Sequence, residues 1–375
     1  MRKEYDVVIV GGGPAGSVFA KELAGLLPGR RILLIDGQTP KNPKVCGGLL
    51  APDAQRMFAM LGLTLPTEIL SDPQIFDVET IDLQKKQVRY YQRHYLNMDR
   101  YAFDKWLISL IPPAVDVGVG RCEGIRKESD GYQVNVNING QTEKILTRYL
   151  VGADGASSVV RRTLFGKGPK KYVAIQQHFP CSHSDLPPYS CIFDPETSDS
   201  CSWTIRKDGY IVFGGAFEPK GCREAFEAQK ARLETFLQVS FGEPSKTEAC
   251  QVTSPRKRGD LLPGRDRVLL LGEAAGFISA SSFEGISSAV LSARLLAEAF
   301  AEGYDSDRVL PIYRKKTRKL RGKLCGKMQK RRVLCSPFLR WCIMKSGIQS
   351  MEKYHAPSKE QKTTIGESVM SLSEK

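Results

Sequence analysis

The chain has 375 residues, 41% of them apolar and 26% charged, which is too long for one small core and has the balance of a folded globular protein of one large or two domains. Its net charge of +14 is concentrated: fourteen Lys or Arg and no Asp or Glu lie between Arg308 and Lys345, so the remainder is balanced and one basic surface with an anionic partner is expected. No run approaches the ~18 consecutive apolar residues of a spanning helix, and Met1 to Asp6 leads into only four apolar residues, Val7 to Val10, which excludes a signal peptide and predicts a cytoplasmic protein.

In chain order, Tyr5 to Val10 reads as a buried strand, followed by a glycine turn, a helix over Ser17 to Leu27 and a second strand from Arg31 to Ile35 that ends in Asp36. This is a βαβ unit, the start of a doubly wound parallel sheet. A loop rich in Pro and Lys covers Gly37 to Gly48. Helices are expected from near Pro52 and over Tyr101 to Ile111. Short strands then fill Val115 to Val151, with Tyr132 to Ile138 alternating strictly and Asn139-Gly140 supplying a hairpin turn. A further strand-rich block runs from Lys171 to about Pro255, and its strands Ser202 to Arg206 and Tyr210 to Phe217 are joined by Lys207-Asp208-Gly209. Arg267 to Leu271 is again a buried parallel-type strand, leading through glycines into a helix of about Gly285 to Ala301. The tail after Lys353 is polar and expected to be disordered. Ten cysteines form no Cys-x-x-Cys pair and four histidines no cluster of metal-ligand spacing, so free thiols in a reducing compartment and no metal are expected.

Three segments have the chemistry of a dinucleotide cradle. Gly11-x-Gly13-x-x-Gly16 lies between strand and helix, with Asp36 twenty residues beyond the last glycine. Gly11 permits the tight turn, Gly13 lets the backbone approach a pyrophosphate, and Gly16 lets the helix pack closely on the sheet. The pyrophosphate meets free N–H groups at the positive end of the helix dipole, and Asp36 accepts from the adenosine ribose hydroxyls. This motif suits NAD and FAD alike. The second segment, Gly152-Ala153-Asp154-Gly155 through Arg161, follows the strand Tyr149 to Val151. The third, Gly272-Glu273-Ala274-Ala275-Gly276, follows the strand Arg267 to Leu271. Both set small residues and one acid at the carboxyl end of a strand, where ligands of such sheets lie.

As an ordered set from Tyr5 to Phe300, these segments resemble the FAD oxidoreductases that include geranylgeranyl reductases and para-hydroxybenzoate hydroxylase-type monooxygenases. The resemblance implies FAD as the cofactor, held by Gly11, Gly13, Ala15, Gly16, Asp36, Gly272 and Gly276. It places Asp154 beside the pyrophosphate and ribityl chain and Glu273, where the family usually has Asp, on the ribityl hydroxyls. The helix starting at Gly285 and Ile286 points its N-terminus at the flavin ring. Arg100, in Arg100-x-x-Phe103-Asp104-x-x-Leu107, matches a position that approaches the cofactor; a salt bridge with Asp104 is the other reading. The implied fold is α/β (α+β overall), a doubly wound FAD/NAD(P)-binding Rossmann-like domain with an interleaved antiparallel-sheet substrate domain and a helical C-terminus. The expected division is an FAD-binding domain of residues 1–75, 95–165 and 256–305, a substrate domain of 76–94 and 166–255, a basic helical segment of 306–352 and a disordered tail of 353–375.

The loop Lys44-Val45-Cys46-Gly47-Gly48-Leu49-Leu50-Ala51-Pro52 is similar to the Lys-x-Cys-Gly-Gly loop of the geranylgeranyl reductase branch. The run Cys46 to Gln55, with Gly272 to Ser288, resembles the CbrA family, a bacterial member of that branch. This implies Cys46, Gly47 and Gly48 close to the flavin, and hydride delivery from N5 of reduced FAD to a carbon–carbon double bond, with a proton supplied to the other carbon. Cys46 is the candidate to give that proton or orient the substrate; a small residue packed in a glycine turn is its other reading. By the same resemblance the Ser202 to Phe217 hairpin covers the flavin, and Trp203, Tyr210 and Phe213 are candidates for an apolar substrate wall suited to an isoprenoid chain, against the alternative of plain core packing. Phe283 is a further candidate, since the family's Pro-x-x-Gly-Glu-Gly approach to the late helix is here Ser279-Ala280-Ser281-Ser282-Phe283-Glu284-Gly285.

Tyr313, Thr317, Leu320, Leu324 and Met328 fall on one helical stripe among Lys and Arg, and Pro337 to Met344 adds an apolar patch with an aromatic. The combination suits a helix on an anionic membrane surface, reached through residues 308–345 from the inner face; a solvated helix packed on the FAD domain is the alternative. No recognition module accompanies the charge, so nucleic acid is not expected. An FAD-dependent reductase of unsaturated, isoprenoid-like lipids is the leading functional expectation. An NAD(P)H- and oxygen-dependent monooxygenase on an apolar substrate and a non-catalytic flavin-loaded membrane adaptor are the alternatives. No second glycine-rich nucleotide site fixes the electron donor, which leaves NADPH, ferredoxin and a quinol open, and nothing sets the oligomeric state.

Overall fold

The computed structural model describes residues 2–39, 44–180 and 186–354, so the expected disordered tail lies outside the described residues from 355 onward. The chain begins with β1 (Glu4–Val10), α1 (Pro14–Leu26) and β2 (Ile32–Asp36), and the two strands run parallel with Val7 opposite Ile32 and Val10 opposite Ile35. Both are covered on two faces, which is why they read as unbroken Val, Ile and Leu. β3 (Leu49–Leu50) precedes α2 (Pro52–Met60), whose proline sits in the first turn, where its missing N–H costs nothing. β4 (Ile75–Asp82) and β5 (Gln87–Asn97) pair antiparallel, and α3 (Arg100–Ser109) starts where the Asp99 carboxylate accepts the Ala102 N–H at 2.7 Å.

β6 (Val115–Val119) lies beside β2, and β7 (Arg121–Glu128), β8 (Gly131–Ile138) and β9 (Gln141–Gly152) form a meander. After α4 (Val159–Phe165) come β10 (Lys170–Pro180), β11 (Tyr189–Phe193), β12 (Cys201–Lys207) and β13 (Tyr210–Phe217), then α5 (Cys222–Leu237) and β14 (Lys246–Ser254). Both expected hairpin turns form: Asn139-Gly140 and Asp208-Gly209 each have positive φ at both positions, the twist a two-residue hairpin demands. β15 (Gly264–Arg265) and β16 (Val268–Leu270) precede α6 (Ile286–Gly303), α7 (Val309–Lys316), α8 (Arg318–Cys335) and α9 (Pro337–Ser346).

Two sheets organise these elements. The first has the order β15-β16-β9-β1-β2-β6, with β7 and β8 extending from β9; the second has the order β14-β10-β13-β12-β11-β4-β5-β3. β16, β9, β1, β2 and β6 are parallel neighbours, so their carboxyl ends share one edge, where the glycine segments follow. The main core packs this sheet against α1 and α6, and Phe19 meets Phe300 with ring centroids 5.5 Å apart. A separate cluster under α5 joins Phe213, Phe217, Phe226 and Phe241 on the far face of the second sheet.

The C-terminal stripe differs from a membrane-facing one. Tyr313, Thr317, Leu320, Leu324 and Met328 are all buried, the four apolar ones in the main core, and the Tyr313 hydroxyl donates to the Leu270 carbonyl at 3.0 Å. The helix also breaks at Thr317 into α7 and α8. The apolar face therefore packs on the core of the first sheet, as an amphipathic surface helix does when a core is within reach. Among the described residues no helix is long and apolar enough to cross a membrane.

Candidate functional site

Three chain segments more than a hundred residues apart meet at the carboxyl edge of the first sheet. A Cβ on Gly11, which has φ +113°, would collide with the carbonyl of Ala153 and lie 2.9 Å from the Asp154 nitrogen. A Cβ on Gly272 would stand 3.2 Å from the Ala15 methyl, and one on Gly155 would stand 3.8 Å from Glu273 Oε2. The glycines thus let the first, second and third segments close on one another. Gly16 belongs to the same packing, since a Cβ there would overlap the Gly11 carbonyl.

Gly13 is different. A Cβ there would touch nothing within 4 Å, and α1 begins beside it with no side-chain cap. The first-turn amides of a helix have no intrahelical acceptor, so an open glycine beside an uncapped helix start fits a pyrophosphate. Asp36 closes β2, buried, and accepts from Lys105 Nζ at 2.6 Å and the Gln38 N–H at 3.0 Å. A carboxylate offers about four acceptor sites, so ribose hydroxyls can still bond to it.

The two later acids act in different ways. Asp154 is spent on its own loop: Ser158 Oγ donates to it at 2.5 Å and the Val159 N–H at 2.6 Å, which caps the start of α4. Burial pushes its carboxyl above the usual range, against these hydrogen bonds. The side chain therefore fixes the shape of the loop, and the backbone around it faces Gly11. Glu273 divides its oxygens. Oε1 accepts from the Thr253 N–H at 2.8 Å, while Oε2 lies 3.8 Å from Lys44 Nζ. The extra methylene carries one oxygen to β14 and leaves the other beside Gly155, where it can take a ribityl hydroxyl. Gly276, with φ +77°, lies under the Asp260 carbonyl, and Gly285 stands ahead of α6, again without a side-chain cap, so Ile286 opens that helix.

Lys44 ties the cysteine loop to this cradle. Burial pulls its ammonium down, but the nearby Glu273 carboxylate opposes that and it stands above its ordinary value. Cys46 accepts from the Gly48 N–H at 3.4 Å and lies in the electrostatic surroundings of Arg100. Arg100 also holds Asp104 at 2.9 Å, so both readings of that arginine hold together. Burial would lower the guanidinium, and Asp104 and Cys46 more than reverse it. Lys207 completes the surround: its ammonium donates to the Met98 carbonyl at 2.6 Å, and burial keeps it below its ordinary value although Cys46 draws it up.

The second sheet faces the loop with an apolar wall. Ile75, Val78, Tyr95, Ile205 and Val212 cluster with Trp203, Tyr189 and Cys191. A Cβ on Gly47 would come 2.7 Å from Ile205 Cδ1 and 3.8 Å from Trp203 Nε1, and a Cβ on Gly214 would stand 2.5 Å from Trp203 Nε1. Two glycines from different elements therefore make room for one indole, whose buried N–H has no hydrogen-bond partner among the described residues. One polar group crosses the wall: the Tyr95 hydroxyl donates to Glu284 Oε1 at 2.9 Å. Burial, then the Glu284 charge, pushes this phenol far above its ordinary value.

The family model for an FAD binding domain matches residues 4–325. Protein CbrA of Escherichia coli O6:H1 (strain CFT073) is 46% identical over 352 residues, covering 92% of this chain and 94% of the relative. The chain belongs to the CbrA family of FAD-binding proteins. Solved structures share the fold. A geranylgeranyl bacteriochlorophyll reductase-like protein of Thermoplasma acidophilum superposes with TM-score 0.75 at 18% identity, over 89% of this chain and 88% of that one. PqsL of Pseudomonas aeruginosa, a probable FAD-dependent monooxygenase, gives 0.67 at 17% identity, over 92% and 100%. The protein is thus an FAD-dependent flavoprotein of the oxidoreductase/monooxygenase fold, with FAD as its cofactor.

Within this CbrA-family chain, the structure places three sequence candidates away from the Trp203 wall. Tyr210 is 41% exposed at the tip of β13, lining a surface depression with Asp72 and Pro73. Phe213 points to the opposite face of the sheet, where its ring lies 5.1 Å from Phe226 of α5. Phe283 adopts φ +54° and packs its ring 5.8 Å from Tyr172, at the seam between the sheets and short of the Trp203 wall. Sequence reasoning also missed several participants. Gly12 is required because a Cβ would stand 2.7 Å from the Asp36 carboxylate, and the Gly11-Gly12-Gly13 triplet was the only signal for it. Lys44 stood inside the quoted loop, whereas Lys105, Lys207 and Tyr95 carried no motif.

Proposed function

We propose that this protein reduces carbon–carbon double bonds of an apolar, isoprenoid-like lipid, drawing electrons from NADPH or another donor. FAD, which the segments Gly11–Gly16, Gly152–Gly155 and Gly272–Gly276 would hold, would supply hydride chemistry when bound and reduced. The chain's own residues supply the rest. Cys46 holds a proton at Sγ, positioned by the Gly48 N–H, and delivers it to the second carbon of the double bond. Trp203, Ile205 and Tyr189 give an apolar wall that receives a hydrocarbon chain and excludes water. The observation that carries the reading is a thiol, with Lys44, Arg100 and Lys207 around it, on the loop that runs from the Glu273 end of the cradle to this wall.

A general acid contributes about 10²–10⁴ to rate. Under anaerobic conditions the dithionite-reduced protein is therefore expected to saturate geranylgeranyl lipids, each reduced bond adding two hydrogens by mass spectrometry. Cys46→Ala is expected to retain its FAD and lose roughly 10²–10⁴ in turnover. Consumption of NADPH that strictly requires oxygen and yields a hydroxylated product would establish a monooxygenase instead.

A further inference from the structure

The cations of the C-terminal segment fall into two sets. Those turned inward meet acids: Arg331 bonds Asp199 at 2.8 Å, Arg340 bonds Asp82 at 2.8 Å, and Lys316 bonds Glu298 at 3.0 Å. Arg318, Lys319, Lys330, Arg332 and Lys345 are exposed and make no ion pair among the described residues. The segment holds no acid of its own, so the outward set has nothing to neutralise it locally.

α9 adds a second property next to that charge. Ser336 caps it, Pro337 opens it, and Arg340 and Met344 turn into the protein. Its other side is apolar where a solvated helix carries charge: Phe338 is 67% exposed, Leu339 43% and Ile343 39%. The rings of Phe338 and Trp341 stack 6.2 Å apart, and the Lys345 ammonium sits 4.8 Å above the indole. Beyond the Gly347 cap, Ile348 is again 67% exposed. Exposed apolar residues flanked by cations and aromatics, without one carboxylate, match the interface of an anionic bilayer: rings and aliphatic tips enter the headgroup boundary and lysines reach back to phosphate.

We propose that α9, with the outward cations of α8, docks the protein on an anionic membrane surface. Phe338, Leu339 and Ile343 insert. Arg318, Lys319, Lys330 and Lys345 lie against the headgroups, each contributing about fivefold in partitioning. The docked surface is joined to the flavin site through α8, since Lys327 on its inner side pairs with Asp53 at 3.6 Å and Glu284 at 4.0 Å, where α6 begins. The docking does not depend on which reaction the flavin performs.

Co-sedimentation of the full-length, FAD-loaded protein with vesicles tests this. Binding is expected to phosphatidylcholine vesicles containing phosphatidylglycerol, weakly to phosphatidylcholine alone, and to fall steeply with salt. Phe338→Ser with Ile343→Ser is expected to cut binding at least tenfold, and Lys319→Glu with Lys330→Glu by a similar factor, with the flavin spectrum unchanged as the sign of an intact fold. Failure to bind anionic vesicles, or undiminished binding by both variants, overturns the proposal. So does an unmutated protein that ignores vesicles but runs as a dimer which Phe338→Ser splits, because the patch then belongs to a second copy.

Discussion

Gly13 and Gly16 belong to one motif and have opposite physical roles. At Gly13 the missing side chain leaves space outside the protein, so Gly13→Ala is expected to fold with stability lowered by no more than about 1 kcal/mol, the preference of an N-cap for Gly over Ala. Its FAD affinity is expected to fall at least tenfold, because the methyl occupies the pyrophosphate's approach. At Gly16 the missing side chain lets α1 lie on the Gly11 backbone, and Gly16→Ala forces that contact apart. A cost of about 1–3 kcal/mol or more is expected in a urea titration of the protein without flavin. Equal losses of apoprotein stability in the two variants would contradict this division. The motif was legible because its spacing is set by one local turn. The roles of Tyr210 and Phe213 were not, because Tyr210 to Phe217 is apolar on both faces and alternation then cannot tell which face meets the flavin.

The C-terminal helices are fastened to the body by buried charge. Arg340 and Asp82 have side chains 3% and 0% exposed, and the guanidinium also donates to the Leu334 carbonyl at 2.7 Å. Removing one partner leaves the other buried and unpaired, so Arg340→Ala is expected to cost about 3–5 kcal/mol by chemical denaturation. A loss below 1 kcal/mol would show that α9 is not held this way. Asp199 fastens α8 through Arg331 at a more exposed position. Burial would raise its carboxyl, but the Tyr172 hydroxyl and Arg331 hold it below its ordinary value of 3.8. A depressed folded-state value means that the stabilisation is present above about pH 3.8 and is lost as pH falls through the lower folded value. Hydrogen exchange along α8 is expected to accelerate in that acid window, and Asp199→Asn is expected to flatten the change; an unaltered acid profile in the variant would contradict the assignment. Sequence periodicity revealed the stripe from Tyr313 to Met328 but not what covers it. An apolar face looks alike whether a core or a bilayer receives it, and the acids that pair with the inward cations lie far away in the chain.

At the scale of the whole molecule, the FAD site is assembled by topology. The parallel order β16-β9-β1-β2 brings three carboxyl ends to one edge, and each is followed by a glycine segment small enough to let the others close in. That much could be read from sequence, since each segment announced itself by a strand ending in small residues and an acid. The apolar wall was legible only in part. Trp203 could be picked out as a wall candidate, whereas Tyr95, Lys207 and Glu284 reach the region through pairings that no local pattern encodes. The central claim is that one FAD joins these segments, and titration of the folded, flavin-free chain with FAD addresses it directly. Saturation at one flavin per chain, weakened by Gly13→Ala, is the predicted result. A natively folded chain that stays colourless in excess FAD would contradict it.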